Sequence, residues 1–174
     1  MSTQRASSQC QRRGLQANVN AGGRYYCSAL LEASVGGHEQ VVKLLLENKA
    51  DVEAHGAEYG SALQAASEEG HEQVVKLLLK NKADVNAEGG GYGSALLAAS
   101  GEGHEQVVKL PLENNADVNA RGVEYDNVLQ PASSGGHEQV VKLLLEENAD
   151  VNAWGAIRQI KLPRIPCSTL ISLW

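Results

Sequence analysis

The sequence contains no phenylalanine, and aromatic residues make up only 4% of its 174 positions. Without bulky rings, burial has to come from Leu, Val and Ala, which suit thin helical layers better than a thick globular core. No apolar run approaches the ~20 residues that a membrane helix needs, so a helical span is excluded. Cys10, Cys27 and Cys167 are odd in number and lack paired spacing, so neither a disulfide framework nor a zinc ribbon is supported. That usage fits a reducing compartment, the cytoplasm or the nucleus. Acidic residues are also missing from both ends. Arg5, Arg12, Arg13 and Arg24 precede Tyr25 with no acid, and Arg158, Lys161 and Arg164 follow Ala156 with no acid. The intervening residues 25–156 hold 8 bases against 21 acids. Such a body lacks the clustered Lys and Arg of a nucleic-acid groove. A basic partner is the electrostatically easier one.

What the sequence has is repetition. Gly37-His38-Glu39-Gln40-Val41-Val42-Lys43-Leu44 returns from Gly70, Gly103 and Gly136, each copy 33 positions after the last. A period of this size marks a repeat architecture, so the repeat is the unit to interpret. Four full units run 25–57, 58–90, 91–123 and 124–156. Ala17-Asn18-Val19-Asn20-Ala21 aligns with Ala50-Asp51-Val52-Glu53-Ala54 at the same period. Residues 1–24 are therefore expected to be a basic, disordered arm that closes with the remnant end of a repeat. The arm has the Arg and Ser of a transit peptide but no amphipathic period, and it lacks the apolar centre of a signal peptide.

Each unit predicts two helices. Ser28, Ser61, Ser94 and Asn127 are good N-caps for a short first helix, because their side-chain oxygens accept from otherwise unpaired N–H groups. Ser61/Gln64 and Asn127/Gln130 have the spacing of a capping box. Gly37, Gly70, Gly103 and Gly136 break the chain between helices, where φ must be positive. In the second helix, Val41, Leu44 and Leu45 form an i, i+3, i+4 face widened by Val42 and Leu46. Glu39, Lys43 and Glu47 form its polar stripe. Ala-Asp-Val-Asn-Ala then leads into a Gly turn as an extended segment. One such unit cannot bury its apolar faces alone, so the units must stack.

The frame Ser-Ala-Leu-Gln-Ala-Ala-Ser-x-x-Gly-His-Glu-Gln-Val-Val-Lys-Leu-Leu-Leu-x-x-x-Ala-Asp-Val-Asn-Ala, followed across 25–156, resembles the ankyrin repeat. Its Ser-Ala-Leu-Gln opening departs from the usual Thr-Pro-Leu-His and is similar to the ankyrin arrays of filamentous fungi, often fused to NACHT-type NTPases. The resemblance implies an all-α repeat solenoid: stacked helix-turn-helix units joined by β-hairpin-like loops. The family commonly has Gly where this chain has Lys49, Lys82, Asn115 and Asn148. If that position is left-handed, Asn tolerates it and Lys is strained by ~1 kcal/mol. Pro111 falls inside the third second-helix, where it removes a hydrogen bond and is expected to kink or shorten the helix. Pro131 falls in a first turn and should be mild.

No constellation for catalysis is present, and no cofactor is expected. His38, His71, His104 and His137 recur once per unit. Adjacent packed helices lie ~8–10 Å apart, too far for two successive rings to share a zinc at ~2.0–2.1 Å. They are expected to orient the second helices, and no metal site is predicted. Gly89-Gly90-Gly91-Tyr92-Gly93 lacks the Lys and Ser/Thr of a phosphate loop.

The tyrosines share one repeat position. Tyr26, Tyr59, Tyr92 and Tyr125 should form a ladder on the hairpin side, either packing against neighbouring hairpins or serving as a recognition strip. Trp154 occupies the fourth hairpin tip. Glu58, Glu68, Glu69, Glu88, Glu102 and Glu124 lie nearby, with Arg121 the one permanent base. These eleven aromatic and acidic residues are the candidate partner-binding set. The expected function is a protein–protein interaction module, monomeric, binding a basic and partly apolar protein surface on the concave hairpin and first-helix face, with no nucleic acid and no membrane. The alternative is a non-catalytic remnant or regulatory fragment of a larger NACHT-type ankyrin protein. Residues 157–174 form an aperiodic tail that either lies over the exposed apolar face of the last repeat or hangs free; Pro163 and Pro166 oppose a docked helix and favour the second.

Overall fold

The structure, a computed structural model, describes residues 19–20, 28–56, 59–122 and 125–153. Among these residues, eight helices form four consecutive pairs. The first helices are α1 (Ala29–Val35), α3 (Ala62–Glu68), α5 (Ala95–Gly101) and α7 (Leu129–Ser134). The second helices are α2 (Glu39–Glu47), α4 (Glu72–Lys80), α6 (Glu105–Glu113) and α8 (Glu138–Glu146). First helices pack on neighbouring first helices and second helices on second, in two layers. One hairpin is regular enough to be called a sheet, β1 (His55–Gly56) against β2 (Gly60–Ser61), antiparallel with His55 opposite Ser61. Gly89 and Gly93 form the matching bridge one unit later.

The caps act as the residues dictate. The Oγ atoms of Ser28, Ser61 and Ser94 accept from the backbone N–H three residues on, at 3.1, 3.3 and 3.3 Å. At Ser61 the box closes reciprocally, with Gln64 Oε1 accepting from the Ser61 N–H. The fourth unit differs. Asn127 Oδ1 accepts from the Gln130 N–H at 3.0 Å, but Gln130 Oε1 takes the Asp126 N–H instead, and α7 begins one residue late. Pro131 lies in the first turn of this shortened helix. Pro111 is buried in α6, which nevertheless keeps the nine-residue length of the other second helices. The expected shortening does not occur.

The core is Leu, Val and Ala throughout. Ala62–Ser67 and Ala95–Ser100 are buried on every side, so the central first helices expose only their last residues. The second helices bury one face alone: Val74, Val75 and Leu78 in α4, Val107, Val108 and Pro111 in α6.

Two ladders lock neighbouring units together. His71, His104 and His137 bond through Nε2 to the carbonyls of Val35, Glu68 and Gly101, each at 2.9 Å. Every one of these bonds runs from the start of a second helix back to the end of the preceding unit's first helix. The glycine of the Gly-His pair serves this contact as well as its own turn. Gly70 has φ +75°, and a Cβ there would lie 2.7 Å from His104 Cε1. In the hairpins, side chains of Asn20, Glu53, Asn86 and Asn119 accept from the N–H groups of Asp51, Asp84, Asp117 and Asp150 at 2.8–2.9 Å. Each of those aspartates then caps its own turn by accepting from the N–H two residues on. A further set ties first-helix caps to the hairpins: Gln64 Nε2 donates to the Ala87, Gly89 and Gly93 carbonyls, the last in the next unit, and Asn127 Nδ2 donates to Ala153 in its own unit.

The left-handed position is observed at all four units, with φ of 65° at Lys49, 66° at Lys82, 64° at Asn115 and 65° at Asn148.

Candidate interaction surface

The hairpin side is built by tyrosines lying against the first helices. Tyr59, Tyr92 and Tyr125 are each half-buried and pack on the common core. The Tyr92 and Tyr125 rings stack, with centroids 6.0 Å apart and planes 14° from parallel. Tyr92 lies along the end of α5 because Gly101 leaves space there; a Cβ at Gly101 would be 2.7 Å from Tyr92 Cε1. Its hydroxyl donates to Glu102 Oε1 at 2.5 Å. That hydrogen bond, together with partial burial and the negative charges of Glu102 and Glu68, holds the Tyr92 phenol well above its ordinary range. The stacked pair and Glu102 thus form one fixed unit, apolar on the ring edges and anionic at one end.

Around it, Glu69, Glu88 and Glu102 are exposed and Glu68 is half-buried. Glu88 and Arg121 border a groove of about 330 Å³ between hairpins, which Asn86, Asp117 and Asn119 also line. The two are not ion-paired. Tyr26, Glu58, Glu124 and Trp154 lie outside the described residues. The structure therefore brings Tyr92, Tyr125, Glu68 and Glu102 together, leaves Glu88 at a separate groove, and places Glu69 at the exposed end of α3.

The second-helix side has a different electrostatic pattern. Glu72, Glu105 and Glu138 pair with Lys76, Lys109 and Lys142, the last two at 2.7 and 2.6 Å. Glu39 and Lys43, at the same positions in α2, are not paired among the described residues. Among the described residues, no group of three or more His, Cys, Asp or Glu converges as a metal site would require. The imidazole Nε2 atoms of His71, His104 and His137 are already committed to carbonyls.

A family model described as ankyrin repeats (3 copies) matches residues 7–89 and again 90–154. The chain belongs to the ankyrin-repeat family. Ankyrin repeats are generally protein–protein interaction modules, and the family is typically non-catalytic. No curated protein matches the sequence. No helix among the described residues is long and apolar enough to cross a membrane.

Two features of the ankyrin surface were outside sequence reasoning. Gly101 is the seat of Tyr92, and its signal was only a glycine nine residues after a tyrosine. Gln64 is buried to 4% exposure and fastens the next hairpin; its signal was a capping glutamine, which indicates the local bond and not the long-range ones.

Proposed function

We propose that this ankyrin array binds a protein partner with a basic, partly apolar surface across its concave hairpin side. The observation that carries the reading is the contrast in pairing. Back-face glutamates at three second-helix starts are neutralised by lysines four residues on, whereas Glu69, Glu88 and Glu102 meet no Lys or Arg among the described residues. Glu102, a carboxylate with no basic partner among the described residues, lies beside the half-buried tyrosine pair and suits an arginine or lysine flanked by apolar groups, through charge and cation–π attraction. The rings cost little ordering on binding, because packing already fixes them.

The test uses a peptide partner selected against the folded chain. Tyr59→Ala with Tyr92→Ala should weaken binding by more than ~1 kcal/mol if the rings are anchors. Association should slow as salt is raised. Glu72→Gln with Glu105→Gln on the second helices should change almost nothing. Damage from the second pair, with the first pair silent, would place recognition on the back and leave the tyrosines as packing.

A second reading, that the chain is a non-catalytic part of a larger NACHT-type ankyrin protein, is supported by one observation. Val41 and Leu44 of α2 are 46% and 59% exposed, whereas the equivalent Val74, Val107 and Val140 are 1–2% exposed under a preceding helix.

A further inference from the structure

We propose that the fourth helix pair opens and closes against the first three as a separate unit, and that the stack of Tyr125 on Tyr92 is the latch that holds it closed. The joints between neighbouring pairs are not equal. Between the second and third units, Gly89 and Gly93 exchange two backbone hydrogen bonds at 3.0 and 3.1 Å. Gln64 Nε2 reaches across to the Gly93 carbonyl at 3.0 Å, and Asn86 Nδ2 to the Asn115 carbonyl at 3.3 Å. Between the third and fourth units, Leu97 stands at the position of Gln64 and has nothing to donate. The Gly89–Gly93 exchange is replaced, among the described residues, by one bond from the Gly122 N–H to the Tyr125 carbonyl at 2.7 Å. Asn119 accepts from Asp150 as Asn86 accepts from Asp117, but its amide has no counterpart of the Asn115 bond among the described residues. The histidine rung is the same at both joints.

The helices that meet at the weaker joint are also the two that carry proline. Pro111 lies in α6, on which α8 packs, and having no N–H it leaves the Val107 carbonyl without its helical bond. Pro131 lies in α7, which has six residues where α5 has seven. The latch, by contrast, is founded on the third unit alone. Tyr92 is seated over Gly101, and its hydroxyl is held by Glu102. Its ring therefore stays in place when the fourth unit leaves, and Tyr125 returns with that unit to stack on it at 6.0 Å. A partner that covers both rings needs them side by side. Binding across the pair would then close the fourth unit, and the closed fraction would set the apparent affinity. That consequence rests on the recognition face proposed above; the opening itself does not.

Hydrogen exchange measures the opening, and the repetition supplies its own control. α2, α4 and α8 share Glu-Gln-Val-Val-Lys-Leu-Leu-Leu after the same Gly-His, so differences in amide exchange among them report opening and not intrinsic rate. In the full chain, followed residue by residue by NMR, Val140–Leu144 should exchange about tenfold faster than Val41–Leu45 or Val74–Leu78, as two or three absent hydrogen bonds predict. α2 is the outer second helix at the other end of the described array. Equal exchange in α2 and α8 would mean fraying at both ends and would overturn the proposal. So would exchange of α8 in step with α4, because the array would then open as one. Tyr125→Ala should speed exchange in α8 by about three- to tenfold while α4 keeps its rate. Tyr59→Ala, the same change in the second unit, should leave α8 as it was. No response to Tyr125→Ala, or an equal response in α4, would remove the latch. A peptide selected on the folded chain should slow exchange in α8 more than in α2. Binding that leaves α8 unslowed would overturn the closure while the recognition face stands.

Discussion

Replacing Pro111 by leucine should produce the largest single gain in stability available in this array. Pro111 occupies the position of Leu78 and Leu144, both 0% exposed, in the middle of a nine-residue helix. Having no N–H, it cannot bond the carbonyl of Val107, and its ring presses on that same turn. The helix keeps its span, so the cost is carried as a lost bond and local strain rather than as lost length. A helix-interior proline costs about 3 kcal/mol or more. Leucine is already accommodated at this site in α4 and α8, so Pro111→Leu should recover most of that. At about 2–4 °C per kcal/mol for a chain of this size, the thermal midpoint should rise by about 6–12 °C.

The assay is urea and thermal unfolding followed by far-UV circular dichroism. With an m-value of about 1–3 kcal/mol/M, the urea midpoint should move by at least about 1 M. Pro131→Ala is the matched control. Pro131 lies in the first turn of α7, where its N–H would lack an intrahelical partner, so its replacement should change the midpoint far less. An unchanged midpoint in Pro111→Leu would refute the reasoning. A larger gain at Pro131 would mean that the late start of α7, not the broken bond in α6, is the weak point.

Two further outcomes are expected. Lys82→Gly relieves a left-handed lysine at φ 66° and should stabilise by about 1 kcal/mol in urea unfolding; Asn115→Gly, at φ 64°, should gain clearly less, and equal gains would show that the side chain is not strained. Because the folded Tyr92 phenol ionises above its ordinary value of 10.0, its contribution is fully present below pH 10 and is lost as pH rises towards the folded value. Ultraviolet titration should therefore show a late-ionising tyrosine that disappears in Tyr92→Phe and moves earlier in Glu102→Gln; ionisation unaffected by either change would sink the assigned cause.

Most of the fold was legible because it repeats. A serine before an apolar stripe, a glycine between two helical patterns and a heptapeptide-like Leu/Val face carry local information that one unit suffices to reveal. Stacking follows from apolar faces that a single unit cannot cover. Relations between units were less legible. Asn86 and Asp117 are 31 positions apart and bond only once the hairpins are stacked in register, and nothing local to either residue announces the pairing. His71, His104 and His137 recur visibly in the sequence, but their acceptors, carbonyls 36 positions back, follow from three-dimensional register alone. The surface was the least legible part. Equivalent tyrosines look equal in the sequence, yet what each can do depends on the residues that end the first helix beneath it.

Those end residues are where this nearly uniform array becomes individual. Nine and ten positions after the shared tyrosine stand Glu68 and Glu69 in the second unit, Gly101 and Glu102 in the third, and Ser134 and Gly135 in the fourth. In the third unit, the glycine admits the Tyr92 ring and the glutamate accepts its hydroxyl. In the fourth, neither end residue is acidic, and Tyr125 stacks on Tyr92. The backbone at these positions is not free to drift. The carbonyls of Val35, Glu68 and Gly101 are each fixed by the next unit's histidine. A conserved bond through the main chain therefore leaves the side chain there open to change without disturbing the stack. On the proposed face, the acids that end the first helices stand in the second and third units, while the paired rings lie over the third and fourth. A partner read by this surface would be oriented along it, its basic group towards Glu68 and Glu69 and its apolar group over Tyr92 and Tyr125.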